Sequence, residues 1–318
     1  MRGYENNISS SDFILLGLFS SSQTSLIFLS FIVIIFIITI TENTMMIILI
    51  HRESRLHTPM YFLLSHLSFM DILHTSNIVP KMITDFLSGS KTISFAACGF
   101  QIFLSLTLLG GECLLLAAMS YDRYVAICHP LRYPILMNDC VSVLMAGGAW
   151  FIGIINSIVH TAYTLHFPFC GSRAIDHFFC EVPAMLVLSC VDTTLYERVA
   201  YASGIIFLLV PFSLIFASYV QILLTVLQMK SKEVRKKSFS TCFFHMIVVI
   251  MYYGPFIFTY MRPKKSVKHT YPNDIDKVLA VFYTILTPML NPVIYSLRNK
   301  EVMGTLRRLI KRICSVKM

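Results

Sequence analysis

The sequence predicts an all-α membrane protein, a seven-transmembrane helix bundle followed by a short amphipathic helix. Hydrophobic residues make up 56% of the 318 residues and charged residues 14%, and the mean hydropathy is +0.69, which is more apolar than soluble domains are. Seven apolar windows are each long enough, at about 1.5 Å per residue, to cross a hydrocarbon core of about 30 Å. Charged residues concentrate in the connections between the windows, so these connections face water.

The apolar windows divide the chain into three parts. They occupy residues 26 to 50, 59 to 86, 97 to 128, 140 to 165, 198 to 227, 238 to 262 and 273 to 296. We therefore expect an extracellular segment at 1–25, the bundle at 26–297, and a cytoplasmic tail with the amphipathic helix at 298–318. The apolar piece at 13–19 lacks a small-residue cleavage pattern, so we expect no removable signal peptide.

Lysine and arginine residues predict the orientation. The connection at 228–237 carries five of them and the tail at 298–318 carries seven, which places both in the cytoplasm and the N-terminus outside the plasma membrane. An outer sequon makes Asn7 a candidate glycosylation site. The net charge of +9 forms no basic face interleaved with aromatic residues, so nucleic acid is not an expected partner. Anionic membrane lipid is an expected partner of the basic segments.

Four of the nine cysteines lie on the predicted outer side, namely Cys98, Cys170, Cys180 and Cys190. Four cysteines in an oxidising compartment predict two disulfides, and the sequence alone permits three pairings. The other five lie in spans or on the inner side, where we expect reduced thiols. The spacing of cysteine and histidine residues in the sequence matches no metal-binding motif.

Acidic residues inside the spans need a partner, because each costs roughly 2.5 to 3.5 kcal/mol on insertion scales. Glu42, Asp71 and Glu112 are in this position. Helical periodicity places Glu112 on one stripe of span three, with Ser105 toward the outside and Arg123 at the inner end. Asp71 is expected at a similar depth in span two, where two carboxylates would share a proton or bind a cation. The alternative is that Glu112 only hydrogen-bonds a neighbouring helix within a packed core.

Prolines in the last three spans predict kinked helices. Pro211, Pro255, Pro288 and Pro292 each remove a helix hydrogen bond, although membrane helices tolerate proline. Kinked helices around a polar interior are typical of a protein that changes conformation. One alternative, a transporter or channel that uses the acidic residues, predicts paired broken helices in two halves, which the odd number of spans disfavours. The sequence contains no GxSxG, HExxH or phosphate-binding glycine loop, so we expect no enzyme.

Four long motifs lie on or beside the predicted spans. They are LHTPMYFLLSHLSFMD at 56–71, MSYDRYVAICHPLRY at 119–133, KSFSTCFFH at 237–245 and PMLNPVIYSLRNKEV at 288–302. In this order and spacing they resemble signatures of the olfactory receptors, a group within the rhodopsin-like G-protein-coupled receptors. The resemblance covers nearly the whole chain, so its implications extend to every span.

The resemblance implies signalling through the inner end of the bundle. Arg123 is restrained by Asp122 at rest and meets a stimulatory olfactory G protein on activation, which raises cyclic AMP. The residues implied in coupling and activation are Asp122, Arg123, Tyr124, Tyr219, Asn291, Pro292 and Tyr295. The resemblance also implies a sodium ion at Asp71 and Glu112, and no other cofactor.

The resemblance further implies a small volatile odorant in the outer half of the bundle, held in a mostly apolar pocket with a few hydroxyls. The implied contacts are Ser105, Leu106, Leu109, Gly110, Ser203, Phe207, Tyr253, Phe256, Ile257, Tyr260, Val281 and Thr284. The implied disulfides are Cys98 with Cys180 and Cys170 with Cys190, with Cys98–Cys190 pairing as the alternative. One departure from the family pattern is Glu42, which either reduces folding yield or joins the polar network.

Overall fold

The computed structural model describes residues 12–18, 22–229, 231–261, 274–296 and 304. Six long helices cross the bundle without interruption: α1 Ser22–Arg52, α2 Pro59–Ser88, α3 Phe95–Cys128, α4 Asp139–His166, α5 Thr194–Gln228 and α6 Lys232–Met261. The seventh, α7, consists of Asp274–Val281, a π-helical stretch Phe282–Leu286 and Thr287–Ser296. Short helical turns occupy Ser54–Leu56, Pro130–Arg132, Tyr133–Leu136 and Val182–Leu186. The predicted seven-helix bundle is confirmed, whereas the amphipathic helix predicted at 298–318 falls outside the described residues except for Gly304.

Length and composition agree with a multi-pass membrane protein. Among the described helices, α1, α3, α4, α5 and α7 each contain a stretch long and apolar enough to cross a membrane. Large apolar side chains such as Ile27, Ile206 and Phe216 are more than half exposed on the bundle surface, which is the expected state of a surface that faces lipid. Helix α2 has a similar length of 30 residues, but Asp71, Lys81 and Asp85 interrupt its apolar sequence.

Helix α3 lies at the centre of the bundle and packs against α2, α4 and α5. Small residues permit the closest approach: a Cβ added at Gly153 of α4 would meet the carbonyl oxygen of Thr107 at 2.5 Å. At Gly111 of α3 an added Cβ would meet the methyl carbon of Met70 at 2.6 Å. Close packing through small residues is how membrane helices commonly associate, and it holds the polar side chains of α3 in the interior.

A small sheet that we did not predict closes the end of the bundle that bears the disulfides, which we call the outer end. Strand β1 (Phe13–Leu15) lies between β2 (Thr92–Ile93) and β3 (Ala174–Ile175), antiparallel to β2 and parallel to β3. Phe13 and Leu15 are fully buried while Ile14 between them is only partly buried, which is the alternation of a half-buried strand. We call this sheet and the loop 167–193 the outer cap.

Two disulfides tie the outer cap together. Cys98 at the start of α3 is bonded to Cys180, and Cys170 to Cys190, with Cα atoms 5.5 Å apart in each pair. This is the pairing that the resemblance implies, and not the Cys98–Cys190 alternative. Cysteines 113, 128, 140 and 242 form no disulfide, and residue 314 lies outside the described residues.

Candidate functional site

The predicted stripe of α3 faces the bundle interior. The helix begins after Ser94, whose hydroxyl accepts the amide of Ala97 at 3.2 Å, and this N-cap satisfies one of the free donors of the first turn. From there Ser105 lies in the outer half, Glu112 is buried at mid-depth, and Arg123 is half-buried near the inner end. The three side chains therefore mark an outer, a middle and an inner level of the bundle, and side chains of the other helices can be assigned to one of these levels.

At the outer level, several predicted ligand contacts lie close together. A Cβ added at Gly110 would lie 3.5 Å from the ring of Phe207. The ring of Tyr253 is 5.6 Å from that of Phe212, and its hydroxyl donates to the carbonyl of Cys113 at 3.1 Å. Because its hydrogen is already donated, the Tyr253 hydroxyl could act toward a ligand only as an acceptor. Leu109 and Ile257 pack against the same apolar core.

Other predicted contacts lie elsewhere or are not described. Leu106 packs against the core of the outer cap, and Val281 packs in a separate cluster with apolar residues of α1 and α2. Thr284 is fully buried and donates its hydroxyl to the carbonyl of its own helix at Ala280. The side chains of residues 256 and 260 fall outside the described part of the chain, so the predictions for Phe256 and Tyr260 remain predictions.

A polar network at the outer ends of α4 and α5 surrounds Ser203. The Ser203 hydroxyl lies 2.8 Å from Nε2 of His160, whose Nδ1 lies 3.1 Å from the Tyr196 hydroxyl. Thr164, one turn beyond His160, is 3.2 Å from the same hydroxyl. Sequence reasoning missed these three neighbours of Ser203. The available signal was His160 and Thr164 at i and i+4 on an otherwise apolar helix, because that spacing puts both on one face.

A cavity of about 330 Å³ opens between the outer ends of α2 and α3. It is lined by Asn77, Lys81, Thr92, Ile93, Ser94, Ala97, Phe100 and Gln101. The predicted ligand contacts do not line it. It approaches them through Asn77, which donates to the hydroxyl of Ser105 at 2.9 Å. The cavity therefore lies one helical level outside the predicted pocket.

At mid-depth, Asp71 and Glu112 each have a partner from another helix. Asp71 accepts from the side-chain amide of Asn291 at 3.1 and 3.2 Å, and Glu112 lies 3.1 Å from Nδ1 of His74. All four side chains are at most 3% exposed. Sequence reasoning identified both carboxylates but not His74, which only the rotation of α2 against α3 brings to Glu112.

The polar network at mid-depth extends to α1. Asn43 donates to the carbonyl of Pro288 in α7 at 3.0 Å. The neighbouring Glu42 has one buried carboxylate oxygen without a hydrogen-bond partner among the described residues. Groups of three or more His, Cys, Asp or Glu side chains arranged to hold a metal ion do not occur within the described ranges. Any ion at Asp71 would therefore depend on hydroxyl and amide oxygens as well.

At the inner level, Asp122 is buried and accepts the hydroxyl of Tyr133 at 2.7 Å. Burial, together with the neighbouring carboxylate of Asp122, raises the pKa of Tyr133, so the phenol keeps its proton and remains a donor. The positive charge of Arg123 interacts electrostatically with the Asp122 side chain and with the imidazole of His245 in α6. The short turn that follows α3 is therefore fastened to the Asp-Arg pair by Tyr133.

The other predicted activation residues surround this point. Tyr219 of α5 is hydrogen-bonded to Nδ1 of His245, with the two rings 5.6 Å apart and nearly parallel. The hydroxyl of Tyr124 lies 3.0 Å from Nε2 of His129. Pro292 lies inside the last helical stretch of α7. The side chain of residue 295 is outside the described part, so Tyr295 remains a prediction, as does glycosylation at Asn7, which lies outside the described residues.

The outer cap contains a buried imidazole. His177 is fully buried, with its ring stacked on Phe178 at 4.6 Å and Nε2 3.5 Å from the carboxylate of Glu181. Burial, aided by the positive charge of Lys277, lowers the pKa of His177 to about 3. Lys277 also forms an ion pair with Asp176 at 2.6 Å, which joins the cap to α7. The cap therefore holds a neutral histidine at physiological pH.

Comparison with known proteins identifies the family. The family model described as "Olfactory receptor" matches residues 32–313. Human olfactory receptor 2AJ1 is 74% identical over 97% of this chain and 93% of its own length. Human olfactory receptor 2L8 is 57% identical over 98% and 99%, and mouse olfactory receptor 2V1 is 51% identical over 96% of each chain. These relatives are signalling receptors and not enzymes. With this bundle, this inner Asp-Arg-Tyr motif and these relatives, the chain belongs to the olfactory receptor family.

Proposed function

We propose that this receptor binds a small volatile molecule in the outer half of the bundle and activates a stimulatory heterotrimeric G protein that raises cyclic AMP. Family membership is the observation that carries the proposal. It is supported by the aromatic and apolar side chains around Gly110, Phe207 and Tyr253, with hydroxyls nearby at Ser105 and Ser203. A mostly apolar site with a few polar groups suits a volatile ligand, because the polar groups orient a molecule that binds mainly by burial.

The signalling step depends on two arrangements of the inner end. In the resting arrangement Asp122 is held by Tyr133, and α5 is linked to α6 through Tyr219 and His245. A ligand changes the balance only if it binds the active arrangement more tightly. In the active arrangement α6 moves outward, and Arg123 becomes available to the G protein. The basic connection after α5 then faces both the G protein and anionic lipid.

A sodium ion at mid-depth is part of the proposal. Ser68 and Asn291 each have a buried side-chain oxygen without a hydrogen-bond partner among the described residues, and oxygen ligands suit a hard cation. These two oxygens and the Asp71 carboxylate would hold the ion, which would supply positive charge beside two carboxylates. Glu112 is already partnered by His74, so its part would be to add negative charge near the ion.

The orientation is proposed with the N-terminus outside the plasma membrane. The two disulfides support it, because disulfides persist in oxidising compartments. The basic residues of the connection after α5 support it from the other side of the membrane.

The test is a cyclic AMP reporter assay in cells, run against an odorant panel with surface expression measured by an antibody to an N-terminal tag. We expect at least one compound to raise cyclic AMP, and Ser105→Ala and Tyr260→Phe to shift its potency. Thr84→Ala on the exposed face of α2 is the control, because its hydroxyl bonds only within its own helix. A surface-expressed protein that never responds, and instead passes ions or solutes, would contradict the proposal in favour of a channel or transporter.

A further inference from the structure

We propose that Asn77 fixes the Ser105 hydroxyl as a hydrogen-bond donor toward the ligand, so that the receptor selects molecules with a carbonyl acceptor over the matching alcohols. The inference rests on the proposed odorant site and adds the chemical class of its ligand. It follows from assigning donors and acceptors in one chain of hydrogen bonds that runs from the outer cap to Ser105.

The chain begins at the cap. The backbone N–H of Cys180, a cysteine of the outer disulfide, donates to Oε1 of Gln101 at 2.8 Å. Because a backbone N–H can only donate, the Gln101 oxygen must face it, and the NH₂ group must face the other way. That NH₂ group donates to the backbone carbonyl of Asn77 at 2.9 Å. The orientation of the Gln101 amide is therefore fixed by both of its partners.

The orientation of Asn77 is fixed in the same way. Its Nδ2 donates to the backbone carbonyl of Gln101 at 3.1 Å, and a carbonyl can only accept. The same NH₂ group lies 2.9 Å from the Ser105 hydroxyl oxygen. An amide NH₂ has no lone pair to offer, so the Ser105 oxygen must accept from Asn77. If Oδ1 and Nδ2 of Asn77 exchanged places, Oδ1 would lie against the backbone carbonyl oxygen of Gln101, and neither oxygen could donate a hydrogen bond.

The Ser105 hydroxyl also has one hydrogen, which it can donate to an acceptor. Among the described residues this hydrogen has no acceptor, and the one side-chain hydrogen bond of Ser105 there is the bond it accepts from Asn77. The nearest carbonyl one turn back, that of Gln101, accepts the Asn77 amide and, as the i−4 carbonyl of the helix, the backbone N–H of Ser105, so both of its lone pairs are used. Ser105 retains 9% of its surface exposed, and its partner Asn77 lines the cavity between α2 and α3. A bound aldehyde, ketone or ester would accept this hydrogen, whereas an alcohol would bring a second O–H that needs an acceptor of its own.

The experiment compares matched pairs of probes in the cyclic AMP assay. The probes are straight-chain aldehydes and 2-ketones of six to ten carbons and the alcohols with the same carbon skeletons. For the wild type we expect the carbonyl compound of an active pair to be roughly three- to tenfold more potent, the range that one hydrogen bond supplies. Ser105→Ala and Asn77→Leu should each bring the ratio of the two potencies close to one.

Ser105→Thr, which keeps the hydroxyl, should retain the preference, and Thr84→Ala serves as the control on α2. If Asn77→Leu fails to reach the surface, the Ser105→Ala and Ser105→Thr pair decides alone. Alcohols more potent than their carbonyl partners on the wild type, or an equal loss for both classes in Ser105→Ala, would overturn the proposal and leave the receptor function intact. A surface-expressed wild type that responds to no probe and to no other odorant would overturn the proposed function itself.

Discussion

The two ends of the bundle are held together by different kinds of interaction. At the outer end two disulfides, a three-stranded sheet and the Lys277–Asp176 ion pair connect the N-terminal segment, the loops and α7. At the inner end, single hydrogen bonds connect described elements, such as Tyr133 to Asp122 and Tyr219 to His245. A hydrogen bond contributes only about 0.5–1.5 kcal/mol, whereas a disulfide contributes about 2–4 kcal/mol. The outer end is therefore built to keep its shape, and the inner end to change it.

This difference suits a receptor. A rigid outer end would keep the proposed ligand pocket in one geometry, so that binding energy is not spent on ordering loops. At an inner end held by weak links, a ligand needs only a few kcal/mol of differential affinity to move the population between the two proposed arrangements. Substitutions at the outer end should therefore affect folding and surface expression, and substitutions at the inner end should affect signalling.

The largest effect is expected for the disulfide that closes the longer loop. Its cysteines, Cys98 and Cys180, are 82 residues apart, and Cys170 and Cys190 are 20 apart. In the chain-entropy treatment the two bonds stabilise the fold by about 4.5 and about 3.3 kcal/mol respectively. Cys98→Ser should thus reduce surface expression and thermal stability more than Cys170→Ser does. Flow cytometry of tagged receptor measures this, and a larger loss for Cys170→Ser would contradict the ranking.

The next effect concerns the unpredicted strand β1. Phe13 is fully buried and its ring packs edge to face on that of Phe169 at 5.3 Å. Phe13→Ala should cost about 3–5 kcal/mol of folding free energy, because it leaves a cavity in the cap core. Leu16→Ala, at a position 43% exposed on the same segment, is the matched control and should be nearly neutral. Equal thermal stability of the two variants in detergent would show that β1 does not stabilise the cap.

A smaller effect is expected from acid at the outer cap. The pKa of His177 is lowered to about 3, whereas the unfolded chain titrates near 6.5. The unfolded state therefore binds the proton first, so the contribution of neutral His177 is fully present above about pH 6.5 and is lost as the pH falls toward 3. By pH 5.5 the loss is about 1.4 kcal/mol. The charge of Lys277 also lowers the pKa of His177 and the charges of Asp176 and Asp276 raise it, but burial has the largest effect.

Thermal unfolding of solubilised receptor at pH 7.4 and pH 5.5 measures this effect. His177→Phe should remove part of the acid sensitivity. The control His166→Gln, which changes an exposed imidazole at the outer end of α4, should not. Identical pH dependence of His177→Phe and the wild type would rule out a contribution of His177.

The smallest free-energy change is expected at the inner end, with a readout in signalling and not in expression. Tyr219→Phe and His245→Phe each remove the hydrogen bond between α5 and α6 while keeping a ring in place. Each should raise basal cyclic AMP roughly three- to tenfold, and the double variant should do no more than either single one, since both break the same bond. Ser30→Ala on α1, whose hydroxyl bonds its own helix, is the control. Additive effects would mean that the two side chains act separately.

The sequence predicted the helices well because an apolar run of membrane length has few alternatives. It missed what depends on distant pairing: β1 to β3 are two or three residues long and lie at 13, 92 and 174, so no local pattern marks their partners. The same holds within the bundle. Glu112 is a visible anomaly in an apolar span, but its pairing with His74 depends on the rotation of two helices. The Ser203–His160–Tyr196 network combines side chains of α4 and α5 in the same way.

The role of Arg123 is tested most directly by odorant-evoked cyclic AMP in cells that express wild-type receptor or Arg123→Ala at equal surface levels. We expect a response of the wild type that is lost in Arg123→Ala, while the control Arg52→Ala, which removes an exposed charge at the inner end of α1, keeps it. An unaltered response of Arg123→Ala would contradict the assignment of the inner Asp-Arg pair to G-protein activation.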